Sequence, residues 1–464
     1  MFQIKRKFNT ELEQAGLKVV KLLHASNFQA FWVGGVVRNI LLKRESDNID
    51  IATDATPDEI EDVLNRAKIT HKPVGKQFGS ILAIVKGWKI EITTFRAEGR
   101  YSDKRHPDEV TYIRAYIRDA ARRDFTINAL YLDPVKKMVY DPVNGISNLE
   151  SRILKFVGDP KKRLEEDALR MLRGVRLATQ LGFKLERNSF AAIKTRAKYI
   201  QGISGERIKA ELDKILLSPN RVEGIRLLDQ VGLLKFIIPE LPEAKKYNHH
   251  SRFYHLEGDV FTHTLLVLEY IPDNDLILAY AALFHDTGKV YTRIRKLKDE
   301  GWVYGYHGHE PVSHRLFLKF AVRLKFSRQE RDLVAWLIEH HGEAGLWEKY
   351  SDTKKISYAL HPDFPSLLLL WRADSMGGHK QLPDGSIGPI EPKRYREGLR
   401  VLKSIRQVRR LIEKLANGDM IMKYSNFKPS RELGQKILDV KVQIILGKIK
   451  NVSDLKKRLD KREQ

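Results

Sequence analysis

The chain has 464 residues, with 83 Lys+Arg against 59 Asp+Glu and a formal net charge of +24. It has no cysteine, which excludes a disulfide framework and thiolate metal sites, so any metal must be held by histidine and carboxylate. Hydrophobic residues make up 42%, enough for packed cores, but apolar runs such as 367–371 are far too short to span a bilayer. The charge suits a polyanionic partner such as RNA better than a membrane. The opening MFQIKRKFNT lacks a signal-peptide apolar region, so the chain reads as cytoplasmic. Its length suggests three or four domains.

Leu12, Leu17, Val20, Leu22 and Leu23 predict an amphipathic helix over 11–25. The apolar run Phe31-Trp32-Val33 then stops at Gly34-Gly35, and Val36, Ile40 and Leu41 follow on one side with Arg38 on another. Asn48-Ile49-Asp50-Ile51 alternates, so a strand turns Asn48 and Asp50 outward together. Paired oxygen side chains on one face suit a magnesium site for phosphoryl transfer, and glycines before a helix let backbone N–H groups approach a phosphate. Taken singly, a Gly-Gly is usually a turn and an Asn-x-Asp a solvated strand.

Residues 57–66 read as a helix with Asp58 and Glu59 in its first turn, and 80–85 and 89–93 as strands. On the second strand Glu91 shares a face with Lys89 and Thr93. The polar, basic stretch 94–110 reads as a loop. Asp119, Arg122 and Arg123 fall at helical spacing, with Asn128 following; arginine pairs suit phosphate. Asp159-Pro160 starts what reads as one continuous helix over 161–183, with Leu164, Ala168, Met171 or Leu172, and Val175 buried. Arg163, Glu166, Asp167, Arg170 and Gly174 fall on its other face, where an Asp–Arg i,i+3 ion pair is the plain reading. Residues 204–217 and 221–234 read as helices. Beyond 241 histidines crowd the chain, and an apolar helix over 276–289 ends in His285-Asp286-Thr287-Gly288-Lys289. Imidazole and carboxylate on separate helices suit a divalent metal. The tail, 392–464, reads as helical and basic.

GG-x-x-R, then IDIATDATP, ITTFR, RRDFTINA and EDALR resemble the class II nucleotidyltransferases, the CCA-adding enzymes and bacterial poly(A) polymerases. FTHTL, ALFHDTGK, HGHE, EHH and RADS are similar to an HD phosphohydrolase domain. The resemblance implies an α+β fold: a nucleotidyltransferase head (1–150), then a mostly helical neck (151–240), an HD domain (241–390) and a basic helical tail (391–464). It implies CCA addition to tRNA 3′ ends from CTP and ATP with Mg²⁺, alternatively A-only addition or poly(A) synthesis.

By the resemblance, Asp50 and Glu91 hold the metal in the head. Gly34, Gly35, Arg38, Arg123, Asp124 and Asn128 bind the nucleotide, and Glu166, Asp167 and Arg170 select the base. Arg105 belongs to a flexible loop at the RNA end. The chain departs from the family's GGxxRD and DxD at Asn39 and Asn48. Either Asn48 is a neutral ligand, or Asp47 takes over, or the head only binds RNA and the HD domain is the sole catalyst. In the HD domain the resemblance implies His263, His285, Asp286 and Asp374 as ligands of a transition metal such as Mn²⁺, Ni²⁺ or Fe²⁺. His309 and His340 are implied at a second metal or the phosphate, and Lys289 at the substrate's charge. Damaged RNA ends are the implied substrates of that second centre.

Overall fold

The computed structural model describes residues 1–99, 110–248, 256–298, 301–382, 386–389 and 392–460. Arg105 lies outside them. Two compact units, Met1–Ile237 and Ile238–Gln464, divide the chain. As expected, the fold is α+β: a mixed-sheet head precedes a helical remainder.

In the first unit the strands are β1 (Phe2–Gln3), β2 (Ala30–Val33), β3 (Ile49–Thr53), β4 (Thr70–Lys72), β5 (Ser80–Val85), β6 (Trp88–Thr94), β7 (Arg96–Glu98), β8 (Val110–Tyr112), β9 (Tyr131–Asp133), β10 (Met138–Tyr140), β11 (Ile153–Leu154) and β12 (Lys184–Leu185). Among the described residues eight form one sheet, in the order β1-β10-β9-β2-β3-β6-β5-β4. Helices α1 (Glu11–Ala25), α2 (Gly35–Leu41), α3 (Pro57–Arg66), α4 (Tyr116–Arg122) and α5 (Gly145–Glu150) accompany it. Thr10 and Thr56 open α1 and α3 with reciprocal capping boxes to Glu13 and Glu59, which fixes where both helices start.

Alternation along β2 sends Trp32 to one face and Phe31 and Val33 to the other. Trp32 packs with Val36, Ile49, Ile51, Ile81, Ile90 and Ile92. On the opposite face Phe31, Phe95, Tyr116, Tyr131 and Tyr140 form an aromatic cluster, with centroids 5.3–6.3 Å apart in the pairs they form. Part of the stretch expected as a loop, 94–110, is instead a strand, because β7 pairs antiparallel with β8.

The helices that follow are α6 (Pro160–Glu166), α7 (Arg170–Leu181), α8 (Arg187–Arg196), α9 (Gly205–Leu216), α10 (Arg221–Gln230) and α11 (Leu234–Ile237). The continuous helix expected over 161–183 is broken. Asp167 is extended, with φ −144° and ψ 107°, and separates α6 from α7. Its carboxylate accepts from the Leu169 N–H at 3.0 Å, a local turn that holds the break.

The second unit holds α12 (Glu240–Glu243), α13 (Val260–Tyr270), α14 (Leu276–Phe284), α15 (Lys289–Thr292), α16 (His309–Arg323), α17 (Arg328–His340), α18 (Asp352–Ala359), α19 (Phe364–Gly377) and α20 (Lys393–Gln407). Strands β13 (Ile294–Lys298) and β14 (Gly301–Gly305) pair as a hairpin. The apolar helix expected to reach Lys289 stops at Phe284, and His285 to Gly288 turn before α15. Close packing fixes this geometry. A methyl group on Gly288 would lie 2.8 Å from the Ser313 nitrogen, and one on Gly377 2.9 Å from the Val267 nitrogen. Both glycines are therefore places where helices approach too closely for a side chain.

Candidate functional site

A cleft of about 550 Å³ opens at one end of the head sheet. Asp50 on β3 is the register partner of Glu91 on the parallel strand β6, so the two carboxylates stand side by side at the cleft. Ile49, Ile51, Ile90 and Ile92 between them are buried. Burial, and then the Glu91 charge, push Asp50 up to about 6. Asn48 is exposed and its amide donates to Asp50 Oδ1 at 3.2 Å. Asp47 lines a different cavity, with Arg6, Thr10 and Trp88, so the structure does not bring it to the cleft with Asp50. Gly34 and Gly35 line the cleft, and Gly34 has φ 73°.

Arginines supply the opposite charge. Arg96, Arg122, Arg123, Arg170 and Arg173 all line the cleft. Arg123 donates to Asp119 at 3.0 Å and to the Tyr131 hydroxyl at 2.9 Å. Burial alone would raise Asp119, but Arg123 and Arg122 hold it down to about 2. Asp124 and Asn128 also line the cleft, and Asp124 is paired with Arg173 at 2.6 Å. Arg173 had no signal beyond helical spacing. Arg38 donates to Asn128 at 2.6 Å and to Asn39 Oδ1 at 3.0 and 3.2 Å. The residue that breaks the GGxxRD pattern thus still holds the arginine, as a neutral acceptor. Burial, and then Arg176, bring Arg38 down to about 10.

Asp167 and Arg170 come to the cleft through the break in the helix. They are not paired with each other: Asp167 Oδ2 accepts from Arg207 on α9 at 2.8 Å, while Arg170 pairs with Glu166. The ion pair expected between them is replaced because extended Asp167 leaves the helical spacing. Arg207, forty positions away in sequence, was not foreseen.

A second cluster lies in the other unit. His263 on α13, His285 and Asp286 after α14, and Asp374 on α19 converge. His263 Nε2 stands 3.0 Å from Asp374 Oδ1 and 3.4 Å from His285 Nε2. His309 Nε2 lies 3.1 Å from Asp286 Oδ1 and 3.1 Å from His341 Nε2. Asp286 therefore turns Oδ2 to one histidine pair and Oδ1 to the other.

The second histidine of that pair is His341 and not His340. His340 sits one residue earlier at the end of α17, where its ring stacks on Trp336 with centroids 4.6 Å apart. The sequence offered adjacent histidines, and the helical rotation of about 100° per residue aims them differently.

Each Nδ1 faces an acceptor: Glu257 for His263 (2.9 Å), and the carbonyls of Ala282, Tyr306 and Ile338 for His285, His309 and His341 (2.8, 2.8 and 2.6 Å). Acceptors at Nδ1 turn the Nε2 lone pairs inward, as metal-ligating histidines require. Without a metal, burial opposes protonation of His263, but hydrogen bonds to Asp374 and Glu257 lift it to about 9. Glu257 was missed in the sequence; no spacing links it to His263. Burial disfavours the Asp286 anion, yet His285 and Lys289 hold its carboxyl well below the usual range. The Lys289 ammonium is 2.6 Å from Asp286 Oδ2.

Residues 30–155 match the poly A polymerase head domain, 182–245 the probable RNA and SrmB-binding site of polymerase A, and 258–376 the HD domain. The CCA-adding enzyme of Anoxybacillus flavithermus is 41% identical over 238 residues, covering 51% of this chain and 58% of that protein. That of Enterococcus faecalis is 43% identical over 207 residues, 45% of this chain and 50% of its own length. The chain thus spans little more than half of the curated relatives it matches.

In fold, the Bacillus stearothermophilus CCA-adding enzyme in complex with CTP is similar at TM-score 0.67 and 22% identity, over 97% of this chain and 98% of that one. The Thermotoga maritima CCA-adding enzyme complexed with tRNA gives 0.62 and 15%, over 97% and 95%. No described helix is long and apolar enough to cross a membrane. The chain thus carries a poly A polymerase head domain, a stretch matching the RNA-binding site of polymerase A and an HD domain, and it shares the fold of CCA-adding enzymes.

Proposed function

We propose that this protein is a template-independent nucleotidyltransferase that builds the CCA end of tRNA from CTP and ATP in the cytoplasm, and that its HD domain is a second, phosphohydrolase centre. The observation that carries the first part is the register of β3 on β6, which sets Asp50 beside Glu91 in a cleft rimmed by arginines.

Two adjacent carboxylates, one pushed up to about 6 by burial and its neighbour, fit a divalent cation. Asp50 and Glu91 would hold Mg²⁺, with Asn48 as a neutral ligand. When bound, such ions activate the RNA 3′-hydroxyl and offset charge on the departing pyrophosphate. The protein's own share is positioning and fixed charge. Arg123, already braced by Asp119 and Tyr131, presents its guanidinium to the triphosphate without further ordering. Gly34 and Gly35 leave room for phosphate beside Asp50, and Asp124 and Asn128 hold the ribose end. Asp167 accepts and Arg170 donates, so together they match the Watson–Crick edge of cytosine or adenine. Arg207 and Glu166 position that pair.

In the HD domain the inward Nε2 atoms fit two transition-metal ions such as Mn²⁺, Ni²⁺ or Fe²⁺. His263, His285, Asp286 and Asp374 would hold one, and Asp286, His309 and His341 the other. When bound, they polarise a phosphate and activate water. Lys289 meets the substrate's charge.

Incubation with tRNA lacking its CCA end, Mg²⁺ and single nucleotides tests the reading: CTP and then ATP are incorporated. Incorporation of ATP but never CTP assigns an A-adding enzyme or poly(A) polymerase instead. The hydrogen bond from Asn48 to Asp50 favours a second reading, a head that has decayed to RNA binding with the HD centre as sole catalyst. An inert native protein revived by Asn48→Asp would establish it.

A further inference from the structure

Helix α7 carries the cleft residue Arg170 at its start and borders a second cavity at its end. That cavity, of about 400 Å³, lies between the end of α7, β12, α8 and α10. Twelve residues of helix span about 18 Å, so it stands well away from the cleft. Its walls are apolar: Phe183 is buried, and Leu185, Phe190 and Leu227 are half-buried.

The cavity is built into the packing of the helices. Helix α10 seats on α7 at Gly224, where a methyl group would lie 2.9 Å from the Thr179 side chain and 2.6 Å from that of Ile215. The Asn220 amide fixes the same junction by donating to the Thr179 carbonyl at 2.9 Å. With Nδ2 committed there, Asn220 offers a ligand its Oδ1. Glu223 and Gln230 share a face of α10 with Leu227 and bring a carboxylate and a second amide to the exposed rim. Cations stand beside these groups. Lys184 lines the rim, Arg226 is 3.4 Å from Glu223, and exposed Arg187 lies one turn before Phe190 on α8.

An apolar peptide side chain or an acyl chain would fill the walls but leave the acceptors of Asn220 and Glu223 unpaired. A nucleobase answers both. Its faces meet the phenylalanine rings, its amino group meets the acceptors, and phosphates on either side meet the cations. All the lining residues except Ala178 and Thr179 fall within 182–245, the stretch matched to the RNA-binding site of polymerase A.

We infer that this pocket takes one unpaired nucleobase of an RNA strand and so anchors the RNA away from its reacting end. This rests on the reading of the protein as an enzyme that acts on RNA.

The test uses the full chain and two fluorescein-labelled hexaribonucleotides, oligoadenylate and the same backbone without bases, followed by fluorescence anisotropy. Phe190→Ala is expected to weaken oligoadenylate binding about tenfold and to leave the abasic strand unchanged. Equal weakening of both strands, or of neither, would overturn the inference. Gln230→Ala, on the exposed rim, serves where Phe190→Ala does not fold. It should change the order of affinity among oligo(A), oligo(C) and oligo(U), and an unchanged order overturns the inference. AMP separates the two sources of a base. Binding of AMP that Phe190→Ala abolishes, with strand affinity untouched, gives the pocket to a free nucleotide instead. A parent that binds neither strand refutes RNA as the partner of the whole protein, whereas strand binding indifferent to both substitutions refutes the pocket alone.

Discussion

Asp119 is fully buried, yet its carboxylate binds Arg122, Arg123 and Tyr131 at once. With its pKa held at about 2, below the ordinary 3.8, it stabilises the fold fully above pH 3.8 and loses that contribution as pH falls through about 2. The shift corresponds to roughly 2 kcal/mol. Asp119→Asn should therefore lower stability at pH 7 by about that amount, and denaturant unfolding at pH 2 should find parent and variant alike. The same substitution unbraces Arg123, so KM for the nucleotide rises as well. At the metal side, Asn48→Asp adds a carboxylate next to Asp50. We expect the Mg²⁺ concentration for half-maximal nucleotide incorporation to fall about tenfold, a difference of about 1.4 kcal/mol. Asp50→Ala should abolish incorporation; retained incorporation would refute the metal assignment.

At the scale of elements, the break between α6 and α7 brings Asp167 and Arg170 to the cleft, where we propose that they read the base. The Arg207–Asp167 contact braces that arrangement from α9. Arg207→Ala should raise KM for CTP and narrow discrimination against GTP, with kcat changed less, in single-nucleotide addition assays. In the HD domain, Gly288 lets the turn after α14 pack on the start of α16, where His309 sits. Gly288→Ala must push that helix start away. Titration with Mn²⁺ should then show one high-affinity ion fewer per chain, while nucleotide addition by the head persists.

For the molecule as a whole, the two centres lie in separate compact units. His285→Ala should remove metal-dependent phosphatase activity and leave CCA addition within about twofold, an effect under about 0.5 kcal/mol. Loss of both activities in a folded variant would refute separate centres. Much of the head was legible in the sequence. Helices over 11–25 and 57–66 and the strand over 80–85 appear with those bounds, because caps and periodicity are local signals. The hairpin over 294–305 was missed, although Ile-Arg-Lys-Leu-Lys carries an alternation of sorts.

The sequence by itself determined which side chains share a strand face and which segments carry chemistry, since both follow from spacing along one chain. It placed Asn48 with Asp50, and the His-Asp pair at the end of an apolar helix. Only the tertiary structure decided what each group meets across the fold. It set Glu91 beside Asp50, gave Asp167 to Arg207 and not to Arg170, chose His341 over His340, and put Glu257 behind His263. These contacts join residues far apart in sequence through packing, and local periodicity carries no record of them.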